Sequence, residues 1–443
     1  MSLFETILAD IADRGKSLSA ALGDDTKNLN DVVQSGPFDG DQPVPEEAWH
    51  LAQGIVTDCY QLTSILTPTR IQAMKLAFSA GLETAIGIAA HFKIADVIEE
   101  RGGKATVQEL ADTVGTDASK LANILQALSS RHTFVESVPG VFSNNRHSRS
   151  LQKGHGGAGM IESYALVSGK AFDSLLDLMT DEENMHSIAA NKSAFSRAWG
   201  VPMGIAEWII QPGNEVYLEQ LMTGMPWLTE TSARGSVDQF DWDKIGAGRT
   251  ICDMGCSDGG IMARVKSKVP SSHIILQDLA PVLPLTRQVM EAFHPEALKK
   301  GEIQVMEHDY FTPQKTAADI YWMRGVLHDY TDEESIQILN QLAPQLQKNP
   351  EARLLVNEIV KTSLYVPPGQ ENEPASKLVP EKQSEFLEMT SLMQLHTTAF
   401  LAGLERSFTD FEQLFKKAGY RLLLGTIWKE HTVKLPMMKS ERL

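Results

Sequence analysis

The carboxyl-terminal half of the chain contains five short apolar stretches, each running into a polar or glycine signal. Residues 250–254 precede Gly255-Cys256-Ser257-Asp258-Gly259-Gly260, 273–277 precede Asp278, and 303–307 precede His308-Asp309. Residues 319–324 lead to His328-Asp329, and 353–357 lead to Glu358. Each reads as a strand of an open α/β sheet, where ligands bind outside the carboxyl ends of the strands. All the chemically interesting side chains fall at that one edge, which predicts a small-molecule site there.

Composition narrows the partners. A chain of 443 residues suggests two domains. With 40 basic against 57 acidic residues the net charge is −17, which disfavours nucleic acid, and no Lys/Arg block offsets it. Cys59, Cys252 and Cys256 make no paired framework, so a reducing, cytoplasmic compartment is expected. Cys252 and Cys256 lack the spacing of a metal site and read as small buried hydrophobes; no metal is expected. At the amino terminus Leu3, Phe4, Ile7, Leu8 and Ile11 have helical spacing. Nothing there resembles the apolar core of a signal peptide, and no run of 18 apolar residues occurs, so no membrane association is expected.

The organisation follows. Residues 1–48 read as an extension whose polar, proline-containing part, 24–48, is a linker. Residues 76–151 read as three helices and a hairpin, a small winged helix. Its markers are Thr106 with Glu109, a capping-box spacing; Leu121, Ile124, Leu125 and Leu128 on one face; and a Pro139-Gly140 turn. Such modules often bind DNA, but the acidic balance favours a structural, dimerising role. Residues 157–235 read as mainly helical and rich in large apolar side chains. Phe195, Trp199 and Met225 are candidates for the wall of a pocket for a flat substrate. The expected division is 1–235, helical, and 236–443, catalytic, with a mobile insertion at 361–385.

The loop after residue 254 is not the usual dinucleotide fingerprint G-x-G-x-x-G. It reads Asp253-x-Gly255-x-Ser257-x-Gly259, with an acid inside the strand and no lysine. An acid there suits a cationic ligand better than a pyrophosphate. Asp278, at the next strand end, can accept ribose hydroxyls. Asp309 can accept an exocyclic amine, with Tyr310 or Phe311 beside the ring. A nucleoside with a positively charged amino-acid tail, S-adenosyl-L-methionine, fits all three acids.

These motifs together resemble the plant and fungal small-molecule O-methyltransferases of the caffeic-acid type. The matching segments are DMGCSDGG, QDLAPV, HDYF, WMRGVLHDYTDEE, LLVNEIV and GLERSFTDFEQLFKKAGY, in that order, over about residues 76 to 435. The resemblance implies a Rossmann-like class I methyltransferase domain, with a seven-stranded, mostly parallel sheet, behind a winged-helix dimerisation domain. It implies a homodimer and a small hydroxylated acceptor: an aromatic, polyketide or alkaloid-like secondary metabolite. By position, Gly255, Gly259, Asp278, Asp309 and Arg324 would hold the cofactor, His328 would be the general base, and Glu358 and Glu405 would flank it. Asp329 would support the loop at the substrate. Three departures stand out: Ser257 at a glycine position, Cys256 at another, and a long, glycine-poor stretch at 389–404. That last departure leaves an alternative, in which the fold cyclises its substrate and the sulfonium serves only as a fixed charge.

Overall fold

The computed structural model describes residues 2–30, 38, 44–233, 237, 241–361, 385–400, 405–422, 426–427 and 432–439. The insertion expected at 361–385 falls almost wholly outside these residues, as do 401–404. The chain forms two compact units: Met1–Gly169 with Pro380–Ser391, and Lys170–Val379 with Leu392–Leu443.

In the first unit, Ser2 opens a helix over Leu3–Leu22 through a capping box with Glu5. This helix packs on a second, Glu46–Leu66, burying Leu18, Leu22, Ala48 and Ala52. Ion pairing of Arg14 with the fully buried Asp58, at 3.1 Å, locks the pair. The winged helix then follows. Strand β1 (Lys104–Thr106) leads to helix Val107–Val114, whose start is the Thr106–Glu109 capping box. After helix Ala118–Ser129 come β2 (Val135–Val138) and β3 (Val141–Ser143). The three strands pair in the order β1-β3-β2. Leu121, Leu125 and Leu128 reach the core with Ile94, Ile98, Leu110 and Phe142, while Ile124 is only half-buried. No single helix is long and apolar enough to cross a membrane among the described residues.

The second unit is an α/β sandwich. Its strands are β4 (Thr250–Met254), β5 (His273–Asp278), β6 (Ile303–Glu307), β7 (Ile320–Arg324), β8 (Arg353–Ile359), β9 (Arg421–Leu422), β10 (Thr426–Ile427) and β11 (Thr432–Lys439). Seven lie in the order β10-β11-β8-β7-β4-β5-β6, and β9 pairs beside β11. Strands β4 to β8 are parallel neighbours, and β11 closes the β8 edge antiparallel. One difference from the sequence reading matters. β8 continues through Glu358 to Ile359 because Val433 and Thr432 pair with those residues, so Glu358 lies inside a strand rather than beyond it.

Apolar strand residues face helices on both sides. Helices Asp332–Lys348 and Phe408–Lys417 bury Ile338, Leu339, Leu342, Leu346, Phe411 and Phe415 on one face. Helices Gly260–Lys268 and Leu283–Phe293 bury Met262, Val265 and Met290 on the other. The chain runs outward through β4, β5 and β6, then returns so that β7 pairs with β4. That reversal puts the topological switch point at the carboxyl ends of β4 and β7, where sheets of this kind form a ligand crevice.

Candidate active site

Two loops meet at the switch point. Gly255 follows β4 with φ +84°, and a Cβ there would lie 3.0 Å from Val326 Cγ2 and 3.5 Å from the Tyr310 ring. Only glycine gives both that backbone and that clearance. Gly259 starts the next helix at φ +76°, and a Cβ would sit 2.9 Å from Met290 Cε and 3.1 Å from Thr286 Cγ2. Between them Ser257 adopts φ +51°. The serine at this glycine position therefore sits in the left-handed region, at a strain cost of about 1–2 kcal/mol. Asp278 fixes the turn: its Oδ2 accepts the Ser257 N–H at 2.8 Å and its Oδ1 the Leu279 N–H at 2.8 Å.

The charges here are mostly acidic. Asp253 and Asp258 are almost fully buried. Burial, then the neighbouring Asp278, pushes the Asp253 carboxyl up to about 8, against the opposing pull of Arg324. Burial likewise raises Asp278, and it lowers Arg324. Three carboxyls against one guanidinium leave a site that gains from a cation. Asp309, at the end of β6, is exposed and its Oδ1 accepts the Phe311 N–H at 2.9 Å. Tyr310 is half-buried and shares a 2.7 Å hydrogen bond with the hydroxyl of Tyr330, which ties the loop after β6 to the loop after β7.

His328 sits in a single tight turn, Leu327–Asp329, just ahead of the helix that Thr331 and Glu334 cap. Both imidazole nitrogens are engaged. Nδ1 lies 3.0 Å from Glu405 Oε1, and Nε2 lies 3.3 Å from Asp329 Oδ1. Burial opposes the charged ring, but Asp329, then Glu405 and Glu358, outweigh it and lift His328 to about 10. Glu358 does not touch the ring through any hydrogen bond among the described residues. Its Oε1 instead accepts the Val326 and Leu327 N–H groups at 3.0 and 2.8 Å, holding the loop that carries the histidine. Thr397 donates to Glu405 Oε1 at 3.2 Å. The second oxygens of Glu358 and Glu405 are buried without a hydrogen-bond partner among the described residues.

Arg406, unread in the sequence, is the other structural finding. Its guanidinium, nearly fully buried, donates to Leu327 O at 2.6 Å and Tyr330 O at 2.8 Å, and pairs with Asp332 at 3.0 Å. Tyr330 and Thr397 were likewise missed, since nothing local marks them.

Of the candidate substrate residues, Phe195 and Trp199 fall in one aromatic cluster, whereas Asp329 lies against His328. Phe195 is sealed, its ring 6.0 Å from Trp199, 5.3 Å from Trp208 and 5.5 Å from Phe400. Trp199 is half-buried, packs on Tyr217, and carries the Lys170 ammonium 4.1 Å above its ring. Met225 lies half-buried on the helix Glu215–Ala233. His396 and Phe400, one helical turn apart, have rings 4.9 Å from each other, and burial pushes His396 down to about 4, so it is neutral. Thr397, which reaches Glu405, is on that same helix, Glu385–Phe400. No group of three or more His, Cys, Asp or Glu placed to hold a metal occurs among the described residues.

Comparison with known proteins identifies both domains. Residues 172–421 match the model of the O-methyltransferase domain, and residues 74–154 match the O-methyltransferase dimerisation domain. A 3-O-methyltransferase of Phanerochaete chrysosporium is 27% identical over 78% of this chain and 76% of its own length. An O-methyltransferase of Aspergillus terreus is 24% identical over 94% and 91%. Among solved structures, a mitomycin 7-O-methyltransferase superposes with a TM-score of 0.66 at 20% identity, covering 83% of this chain and 96% of its own. A structure described as a pericyclic reaction enzyme reaches 0.67 at 17% identity, covering 96% and 98%. At such identities these structures establish the fold alone. The domain match spans more than half of the sequence, and with it the chain belongs to the O-methyltransferase family, as a methyltransferase domain preceded by the family's dimerisation domain.

Proposed function

We propose that the protein methylates a hydroxyl of an aromatic, polyketide or alkaloid-like secondary metabolite, using S-adenosylmethionine, with His328 as the general base. The observation carrying this reading is the His328–Glu405 pair beside the glycine crevice. The site suits the cofactor: Asp253, Asp258 and Asp278 favour a positive ligand, on a turn that Gly255 and Gly259 pack tightly against Val326 and Met290. When bound, S-adenosylmethionine supplies a methyl group already made electrophilic by its sulfonium. In this reading Asp278 keeps lone pairs for the ribose, Asp309 and Tyr310 meet the base, and Arg324 balances the buried acids.

The acceptor oxygen is the poor partner, because a neutral hydroxyl is a weak nucleophile. Glu405 holds Nδ1–H and so leaves Nε2 as the nitrogen that takes the acceptor's proton. Nε2 must first exchange Asp329 for the acceptor hydroxyl, which assigns Asp329 a place at the substrate. A raised imidazole is a strong base but is mostly protonated at neutral pH. A bound cation favours the neutral ring, so the crevice and the base work together. Trp199 and Met225 then offer the acceptor a flat apolar wall, with Phe195 backing Trp199. The dimerisation domain favours a homodimer as the working form.

Purified protein, S-adenosylmethionine and a panel of phenols test the reading by release of S-adenosylhomocysteine. Base catalysis is worth about 10²–10⁴-fold, so His328→Ala should lose that much; full activity would reject the assignment. Substrate conversion without cofactor consumption would instead favour cyclisation, with His328 acting as an acid.

A further inference from the structure

We infer that Arg406 is a positioning residue: its guanidinium grips the carbonyls on both sides of the His328-Asp329 turn and so sets the imidazole against Glu405. This rests on His328 as the base, and extends it to a residue that touches neither acceptor nor cofactor.

Arg406 is itself firmly held. The Lys361 N–H, just past β8, donates to Arg406 O at 2.9 Å. Ser407 follows as the cap of helix Phe408–Lys417, closed by a capping box with Asp410. The backbone of Arg406 is thus pinned between a central strand and a capped helix. From that anchor the planar guanidinium spends its donors on the turn. One reaches Leu327 O, immediately before His328, and another reaches Tyr330 O, just after Asp329. The second nitrogen also lies 3.4 Å from Ser335 Oγ, and Nε completes the set on Asp332 in the first turn of the helix after His328. The planar fork presents its donors in a fixed geometry, whereas an ammonium is a compact charge on a flexible stem.

Glu358 holds the same turn from the other side, through the Val326 and Leu327 N–H groups. The turn is therefore clamped by a carboxylate on its donors and a guanidinium on its acceptors. Glu405, the partner of the ring, is the residue adjacent to Arg406. One short segment thus fixes both the ring's partner and the backbone beneath the ring. Losing the clamp lets the turn shift, and a 1 Å misplacement at a reacting group can cost about 10²-fold in rate.

The test is a double-mutant cycle with a readout that needs no catalysis. Arg406→Met should lower kcat about 10²-fold, and Arg406→Lys should fall between it and the wild type; cofactor affinity, by calorimetry, should barely move in either. In the cofactor-free protein, the His328 imidazole pKa, assigned by NMR difference against His328→Asn, should drop toward the ordinary histidine value in Arg406→Met. The double variant should be no slower than His328→Asn alone, because both changes remove one contribution. Multiplying effects, or an unmoved imidazole pKa, would overturn the inference. Should Arg406→Met fail to fold, the same two readouts on Arg406→Lys decide it. A fully active His328→Asn would instead sink the base reading, while the imidazole pKa in Arg406→Met would still judge the clamp.

Discussion

Glu405 reaches across 77 residues of chain to hold Nδ1 of His328 at 3.0 Å, from a side chain only 2% exposed. The contact holds a loop histidine in one orientation, as the proposed base requires. A buried charge-assisted hydrogen bond of this kind is worth more than an exposed ion pair, and it fixes which nitrogen faces outward.

Glu405→Gln should therefore keep the fold but weaken the base. An amide can accept from Nδ1–H yet cannot stabilise the imidazolium that forms. A loss of about 10–10²-fold in kcat is expected, less than the about 10²–10⁴-fold for losing the base outright, with little change in cofactor affinity. Steady-state kinetics with calorimetry separate the two.

Asp329→Asn should move the pH profile. After the opposing effect of burial, Asp329 is the largest influence on His328, and it raises the imidazole toward about 10. Removing that charge lowers the imidazole pKa, so the neutral form appears at lower pH and the acidic limb of the kcat/KM profile, which reports the free protein, shifts down. A profile that stays in place, measured from pH 6 to about 10, would count against His328 as the titrating base.

Asp253 predicts proton-linked cofactor binding. Held near 8, its carboxyl is mostly protonated below that pH in the free protein. A cationic ligand favours the carboxylate, so binding displaces a proton. Affinity for S-adenosylmethionine should rise as pH climbs toward 8, with a slope of at most about tenfold per pH unit by linkage. The uncharged thioether product should show a flatter dependence, and Asp253→Asn should abolish the slope. Calorimetry in buffers of different ionisation enthalpy counts the released proton.

The glycine loop gives a paired prediction. Gly259→Ala places a methyl against Met290 and Thr286 at positive φ, and should both destabilise the protein and weaken cofactor binding. Ser257→Gly should do the reverse for stability: relief of a left-handed residue, about 1–2 kcal/mol, exceeds the entropy cost of glycine, about 0.5–1 kcal/mol. Thermal denaturation of both variants reads the difference.

Removing Glu358 should damage the structure more than the chemistry of the ring. Glu358→Ala leaves the Val326 and Leu327 N–H groups buried without an acceptor, at about 1–3 kcal/mol each. Glu358→Gln retains an acceptor oxygen and should recover most of that stability. Denaturant midpoints and kcat measured together distinguish a loop-holding role from direct contact with the ring.

What the sequence determined by itself was set by local signals. Five apolar runs with polar ends gave the parallel strands and their ligand edge, because periodicity and strand length are local properties. Thr106–Glu109 and Thr331–Glu334 marked helix starts, because a capping box closes within one turn. Gly255 and Gly259 pointed to the crevice because only glycine tolerates those backbones.

Tertiary structure alone decided which carboxylate serves the ring. Glu358 and Glu405 are equivalent in a string of letters, yet one bonds backbone N–H groups and the other the imidazole, because β8 pairing with β11 carries Glu358 inside the sheet. Arg406 escaped notice for a similar reason: the two partners that flank the His328 turn lie 76 and 79 residues away and are carbonyls, which every residue has. Side-chain pairing across that distance is set by the packing of helices on the sheet, and no pattern of spacing encodes it.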